Sequence, residues 1–173
     1  SFQAELLYRE GKQEEGLVLF DRERGQIDTG RSWALQQTSL PETDDLILDY
    51  ADAAASIGEI RYRIREERIP QLETQIAAAQ RRGRQRAEGQ ALGNLALAFA
   101  YVGDYDRAIA SYSQRILLAR DIGDRRGECV ALSNLGNAIT QGLKIVEFRD
   151  VGIDLGSFLT DVLSPIVKKV QEY

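Results

Sequence analysis

Histidine and methionine are missing from the sequence, and cysteine is nearly so, with Cys129 as the one example. Without histidine, the most common general base and metal ligand is unavailable to the protein. A lone cysteine has no partner for an intrachain disulfide and no histidine to activate it as a nucleophile. Neither GxxxxGK[ST] nor GxGxxG occurs as a phosphate-binding loop. We therefore expect a protein that is not an enzyme and that has no metal and no cofactor.

Long apolar segments are also missing. The chain has no run of about 18 or more apolar residues, so the sequence predicts no transmembrane helix. No signal-peptide pattern opens it, and its cysteine content fits a reducing compartment, so we expect a cytoplasmic protein with no membrane partner. Because no initiator methionine is present, we expect a processed chain or, as the favoured interpretation, a piece of a longer protein.

What the chain does contain favours helices. Ala, Leu, Ile, Glu, Arg and Gln dominate, whereas Val and Thr are scarce. The net charge of -5 disfavours non-specific nucleic-acid binding, so no nucleic-acid partner is expected. The basic cluster Arg81–Arg86 is the exception. We favour a solvated turn there and keep open a contact with phosphate, with an acidic peptide or with nucleic acid, for which a steep salt dependence would be the mark.

Composition and helix-breaking residues divide the chain into three parts. Leader helices occupy 1–40, helical repeats occupy 41–142, and an amphipathic segment occupies 143–173. Within the middle part the repeat is degenerate over 41–82 and clear over 83–142.

The leader and the degenerate repeat carry several local predictions. Apolar residues at three-to-four-residue steps predict a leader helix despite Gly25 and Gly30, which we expect to allow close helix approach. Trp33 is expected to be a core anchor. Pro41 marks the start of the next helix, and Gly58 is expected to end it.

The clear repeat becomes visible when the sequence is shifted on itself by about 40 residues. Gly89 then aligns with Cys129, which is a small-residue position, so we expect a packed thiol there. The other matched pairs in the two helices include Ala91/Ala131, Leu92/Leu132, Asn94/Asn134, Leu95/Leu135, Ala98/Ala138, Ile69/Ile109, Ile76/Ile116 and Ala79/Ala119. One unit is then two antiparallel helices, and a fixed period of this kind is typical of a solenoid.

The repeated residues follow a recognisable motif. The pattern Leu-Gly/Ala-x-Ala-Tyr/Phe, then Gly-Asp-Tyr, then Ala-Ile-x-x-Tyr is met at Leu95, Ala96, Ala98, Phe99, Gly103, Asp104, Tyr105, Ala108, Ile109 and Tyr112. Helices are expected over 84–101 and 105–121, with Gly103 at the end of the first and Asp104 as the N-cap of the second. The segment Arg82 to Thr140 thereby resembles tetratricopeptide repeats (TPRs), in particular the longer version found in kinesin light chains, spindle-orientation adaptors and bacterial STAND-type signalling proteins.

The resemblance implies a fold and a function. The fold is all-α, an antiparallel helix-pair (TPR-like) solenoid with a C-terminal amphipathic helix. The function is that of a non-enzymatic scaffold or adaptor that binds a protein or peptide partner. The alternative is a sensor or regulatory TPR segment of a larger signalling ATPase or transcription regulator.

The resemblance also implies a binding surface. In the family, the first helix of each unit lines a concave groove that holds an extended peptide or a helix. By position, the partner-binding residues here are Gln90, Asn94, Leu97, Tyr101, Val130, Asn134, Asn137 and Gln141. The pair Asn94 and Asn134 matches a family asparagine that grips a ligand's backbone, since an amide both donates and accepts hydrogen bonds. The alternative is that both asparagines hydrogen-bond within the helical framework.

The repeat stops after Asn137. Leu143–Ile145 stand where Gly103–Tyr105 stand one unit earlier, and for 143–151 helix is favoured over strand. The following segment 154–173 is amphipathic, and Pro165 is expected either to kink it or to start a new helix after Ser164. Three interpretations remain open. The segment is a cap for the last repeat, or a ligand for the groove within one chain or between two chains of a homodimer, or a part of whatever follows, including an artificial junction.

Overall fold

A computed structural model of the chain describes residues 2–37 and 41–149. Over these ranges the protein is all-helical, its adjacent helices pack against each other, and no strand occurs. The all-α class expected from the sequence is therefore confirmed. The chain divides into two compact units, Ser1–Ile139 and Thr140–Tyr173.

The described residues form eight α-helices. A π-helical turn at Ile64–Arg68 runs directly into the fifth α-helix. The α-helices are α1 (Phe2–Arg9), α2 (Gln13–Gln36), α3 (Pro41–Asp52), α4 (Gly58–Arg61), α5 (Ile69–Arg81), α6 (Gln85–Tyr101), α7 (Tyr105–Asp121) and α8 (Arg125–Arg149). The start of a helix at Pro41 is confirmed, and so is helix from Leu143 as far as Arg149. The kink at Pro165 and every role expected of 154–173 lie outside the described residues.

The leader helix α2 is built around one buried stripe. Phe20, Ile27 and Ala34 are spaced by two helical turns and face the core. Trp33 lies next to Ala34 in sequence but about 100° away around the helix, and its side chain is 53% exposed. The prediction that Trp33 anchors the core was therefore wrong.

Close approach at the leader glycines is partly confirmed. A Cβ added to Gly30 would meet the hydroxyl of Tyr50, whereas one added to Gly25 would meet nothing within 4 Å. A third glycine, Gly16, makes the closest backbone approach, since its Cβ would lie 2.7 Å from the carbonyl oxygen of Ala4 in α1. Helices α1 and α2 pack here almost backbone to backbone.

The prediction that Gly58 ends a helix was wrong. Helix α3 stops at Asp52, and Gly58 is the first residue of α4. The reason is tertiary: the buried carboxylate of Glu5, on α1, accepts hydrogen bonds from the backbone N–H of Ser56 (2.9 Å) and of Ile57 (3.2 Å). These bonds satisfy donors at the start of a new helix.

The turns between α5, α6, α7 and α8 are three copies of one structure. Each contains a glycine with positive φ, at Gly83 (63°), Gly103 (78°) and Gly123 (68°). The N–H that follows each glycine donates to a carbonyl five residues earlier, as in Asp104 to Phe99 at 2.9 Å. This is the Schellman ending of a helix, which satisfies its last carbonyls. The helix end predicted at Gly103 and the N-cap predicted at Asp104 are confirmed, since the Asp104 side chain accepts from the N–H of Arg107.

Burial follows the sequence repeat at most of the matched positions in α6 and α8. Ala91 and Ala131 are fully buried, and so nearly are Ala98 (1%) and Ala138 (3%). Cys129, in contrast, is exposed, so the expected packed thiol was wrong. It lies two residues before Ala131, which on a helix is nearly the opposite side from the buried stripe.

Candidate functional site

A cleft of about 670 Å³ lies within the first unit, where α1, the turn after α3, and the α6–α7 pair meet. Its lining is Phe2, Glu5, Leu6, Arg9, Asp52, Ala55, Ser56, Gln90, Asn94 and Arg115. Two residues of the expected binding face, Gln90 and Asn94, are among them. They lie one turn apart on α6, so their side chains project to the same side of the helix.

The amide groups of this face are unengaged. Within the part of the chain that the structure describes, the side chains of Gln90, Asn94 and Asn134 form no hydrogen bond. Asn94 is half-buried and Gln90 is exposed. An amide that is fixed on a helix and unengaged offers a ligand one acceptor and two donors.

Arg115 is the site residue that the sequence did not reveal. Its side chain starts on α7, crosses over Gly93 of α6, and donates from Nη1 to the carbonyl oxygen of Gly89 at 2.9 Å. It then contributes to the cleft wall beside Asn94. Gly93 makes this crossing possible, because any side chain on it would clash with the guanidinium.

The two carboxylates of the cleft differ in how far they are already paired. Glu5 is only 4% exposed, and its carboxylate is already bound by the Arg9 Nε–H at 2.8 Å and by two backbone N–H groups. Asp52 is exposed and engages no described residue by a hydrogen bond. Partial desolvation, helped by the charge of Asp49, raises the pKa of Asp52. Its carboxylate is therefore in a position to gain from a cationic partner.

Apolar surface borders the same cleft. Phe2 is 62% exposed and Leu6 is 48% exposed, and both belong to the first turns of α1. Large apolar side chains beside unengaged amides are what an interaction surface requires, since the former bury area and the latter fix orientation.

The other expected binding residues do not line this cleft. Leu97 and Asn134 are half-buried, whereas Tyr101, Val130 and Asn137 are exposed. Gln141 is exposed as well and belongs to the second unit. The structure thus brings Gln90 and Asn94 together with α1, which the sequence did not predict, because nothing local in 1–40 points to the repeats.

Three of the four arginines of the basic cluster Arg81–Arg86 form ion pairs across the fold. Arg81 binds Asp44 through both Nε and Nη2, with a shortest distance of 2.6 Å. Arg82 and Arg84 both bind Asp45, at 2.9 and 2.8 Å. The hydrogen bonds from Arg81 hold the pKa of Asp44 below its ordinary value. These pairs tie the turn between α5 and α6 to α3, which is more than the solvated turn that the sequence suggested.

Neither a cluster of metal ligands nor a membrane-spanning helix occurs in residues 2–37 and 41–149. In these ranges no three or more His, Cys, Asp or Glu side chains gather as metal ligands would. Nor does any helix there combine the length and apolarity needed to cross a membrane.

The fold defines an all-helical protein of packed neighbouring helices. Comparison with known proteins adds no family to that class: no protein-family model matches the chain, and no curated protein matches it significantly.

Proposed function

We propose that this protein is a non-enzymatic interaction module, built as a TPR-like solenoid, that binds an extended peptide segment of a partner protein in the cleft beside α6. The observation that carries the proposal is the pair of unengaged amides, Gln90 and Asn94, in the wall of a cleft of about 670 Å³. An extended peptide exposes one backbone donor and one backbone acceptor per residue, and amide side chains match both.

The recurrence of the α5–α8 turns supports the solenoid part of the proposal. Contacts between side chains recur as well: Gln80 donates to Glu88 in one turn, and Arg120 donates to Glu128 one unit later. A contact that recurs at the spacing of the sequence repeat is what stacked helix pairs require, because each unit meets the next in the same way.

The cleft would contact a bound peptide through three kinds of interaction. Backbone groups would pair with Gln90 and Asn94, an apolar side chain would contact Phe2 and Leu6, and a cationic side chain would pair with Asp52. The first level is independent of sequence, whereas the other two select for an apolar residue near a basic one.

The proposal can be tested by selecting binders from a random peptide display library on the intact 1–173 chain. Affinities of the selected peptides would then be measured by fluorescence anisotropy for the wild type and for Gln90→Ala/Asn94→Ala. Two lost hydrogen bonds are worth about 1–3 kcal/mol together, so we expect the Kd to rise about 5- to 150-fold. Circular dichroism would verify that the variant keeps its fold.

Matched controls separate the cleft from the rest of the surface. Gln114→Ala removes an exposed amide of α7 that is not part of the cleft lining, and it should leave the Kd unchanged. Asn134→Ala tests whether the binding surface continues onto α8. Peptides whose affinity is the same for the wild type and for the double variant would contradict the proposal.

A further inference from the structure

A second concave surface, the α2–α3 groove, lies between α2 and α3 of the first unit and has a volume of about 350 Å³. Its apolar lining is Phe2, Ile27, Leu46, Tyr50 and Ala53. Ile27 and Ala53 are buried and form the floor, whereas Leu46 is 37% exposed. Contiguous apolar surface that faces solvent is typical of an interaction site.

The exposed apolar surface continues along α2 beyond the groove. Trp33 lies two helical turns after Gln26, which lines the groove, and therefore on the same side of α2. Its side chain is exposed. The ten residues from Glu23 to Trp33 rise by about 15 Å, so the whole surface has the length of two to three helical turns.

The charged residues that line the groove are both acidic, Glu23 on α2 and Asp49 on α3. Among the described residues, Glu23 has one ion-pair partner, Arg22, at 4.0 Å, and Asp49 has none. Asp45, one turn earlier on α3, is in contrast bound by two arginines. The groove therefore combines an apolar floor with two carboxylates whose charge is poorly compensated.

The walls of the groove offer few hydrogen-bond partners to the backbone of a ligand. Both walls are α-helices, whose backbone groups are paired within the helix. Gln26 and the hydroxyl of Tyr50 are the uncharged polar side-chain groups of the lining. An extended peptide would leave most of its backbone groups without a protein partner here, whereas a helix has already paired its own.

We propose that the α2–α3 groove binds a short basic amphipathic helix of a partner protein. Apolar side chains of that helix, spaced by three and four residues, contact Leu46 and Trp33. Lysines or arginines beside them pair with Glu23 and Asp49. The same two carboxylates repel nucleic acid, an anionic membrane and a second copy of this chain, whose net charge is -5.

This docking surface is additional to the cleft beside α6, with which it shares Phe2 as its one common lining residue. The two surfaces also differ in chemistry. The cleft contains two arginines and the unengaged amides of Gln90 and Asn94, whereas the lining of the groove contains no cationic side chain.

The test uses three designed peptides of about 14 residues, or four helical turns, added to the intact 1–173 chain. The first has leucines along one helical face and lysines elsewhere, the second has glutamate in place of each lysine, and the third is the first with two central prolines that prevent a helix. Binding is measured by fluorescence anisotropy. We expect saturable binding of the first peptide and a Kd at least about tenfold higher for the other two.

Two variants locate the binding, and Phe2 stays unchanged in both because it also lines the cleft. Leu46→Gln removes apolar contact area and should raise the Kd of the first peptide about fivefold or more. Glu23→Gln/Asp49→Asn removes both carboxylates and should raise the Kd about two- to thirtyfold, with a weaker dependence of the Kd on salt. Circular dichroism would verify that each variant is folded.

Matched controls remove the same kinds of group elsewhere. Leu117→Gln removes an exposed apolar side chain of α7, and Glu73→Gln/Asp121→Asn removes two exposed carboxylates outside the groove lining. Both should leave the Kd unchanged. Gln90→Ala/Asn94→Ala should leave it unchanged as well, so failure of the groove and failure of the cleft can be distinguished.

Three results would overturn the proposal. The first is no saturable binding of the leucine–lysine peptide, or equally tight binding of its proline version. The second is an equal loss of affinity in Glu73→Gln/Asp121→Asn, because the attraction would then come from the overall charge of the chain. The third is a dimer in sedimentation velocity that Leu46→Gln dissociates, because a second copy would then be the occupant.

Discussion

Helices α1–α4 and helices α5–α8 are held together in different ways. In the later helices, the same glycine turn closes α5, α6 and α7, and all its hydrogen bonds are local in sequence. The same turn also ends α1 at Gly11 (φ 90°), where the N–H of Lys12 donates to the carbonyl oxygen of Leu7 at 3.0 Å. The other junctions of the earlier helices are made by charged side chains that bind groups far along the chain. Glu5, for example, accepts from backbone groups 51 and 52 residues away.

Arginines take part in most of the long-range side-chain hydrogen bonds of the early helices. Arg24 of α2 donates to the carbonyl oxygen of Arg61 at 3.1 Å and to Glu67 at 2.8 Å. Arg61 in turn binds both carboxylate oxygens of Asp21. The π-helical turn that precedes α5 is thereby attached to the middle of α2 through polar contacts rather than through a repeated apolar interface.

The comparison shows that regularity and local encoding go together. A turn that depends on a glycine and its immediate neighbours can be copied by copying a short sequence, so it recurs unit after unit. A junction that depends on a charge pair 37 residues apart, such as Arg81 with Asp44, is specific to one place in the molecule. The two regions should therefore fail in different ways when they are perturbed.

The largest effect is expected where α1 and α2 approach backbone to backbone. In Gly16→Ala the new Cβ would lie 2.7 Å from the Ala4 carbonyl oxygen and 2.9 Å from the Tyr8 nitrogen, so the two helices must separate. We expect a loss of about 1–3 kcal/mol in the free energy of unfolding, measured with urea. Hydrogen exchange should show the loss of protection in α1 and α2 and not in α6 and α7.

Gly25→Ala is the matched control on the same helix. Nothing lies within 4 Å of its added Cβ, so the variant should be more stable by up to about 1 kcal/mol, as helix propensity dictates. Equal destabilisation by both substitutions would show that close packing at Gly16 does not hold α1 in place.

The next largest effect is expected at a repeated turn. Gly103 has φ of 78°, and an alanine there is strained by about 1–2 kcal/mol even though its Cβ has free space. Urea unfolding should show this loss, with hydrogen exchange increased at the ends of α6 and α7. Gly89→Ala, within α6 at normal helical φ and with its nearest contact at 3.7 Å, should be neutral or stabilising.

The smallest effect concerns the ion pair that joins the two regions. The hydrogen bonds from Arg81 lower the pKa of Asp44 in the folded protein, so the pair contributes stability above the unfolded-state pKa of about 4, and that stability is lost as the pH falls through the folded-state pKa. Asp44→Asn should cost about 1 kcal/mol at pH 7. Below pH 4, the free energy of unfolding of Asp44→Asn, measured with urea, should fall less steeply with falling pH than that of the wild type.

Asp45→Asn is the matched control for the pH-dependent stability of Asp44→Asn. Asp45 is half-buried and pairs with two partly exposed arginines, so its loss at pH 7 should be smaller than that of Asp44→Asn. Identical stability curves for Asp44→Asn and the wild type between pH 7 and 3 would show that the Arg81 pair does not join the two regions.

Sequence periodicity was a good guide wherever one residue and its close neighbours decide the structure. The bounds of α6 and α7, the helix end at Gly103 and the helix start at Pro41 all followed from local residues. The failures were residues whose environment comes from a distant part of the chain. Trp33 was expected to anchor the core, Cys129 was expected to be packed because it aligns with Gly89, and Gly58 was expected to end a helix.

By itself, the sequence determined that the protein is helical, where the glycine turns fall, and that α6 carries two amides on one face. Helix propensity, capping and periodicity are properties of residues close together in the sequence, so these features could be predicted without knowing the tertiary structure. Only the tertiary structure decided that α1 closes the cleft beside Gln90 and Asn94, that Arg115 crosses Gly93, and that Phe2 lies at the groove between α2 and α3. Each of these depends on the distance between helices that are far apart in the chain, and burial and electrostatics act through distance in space.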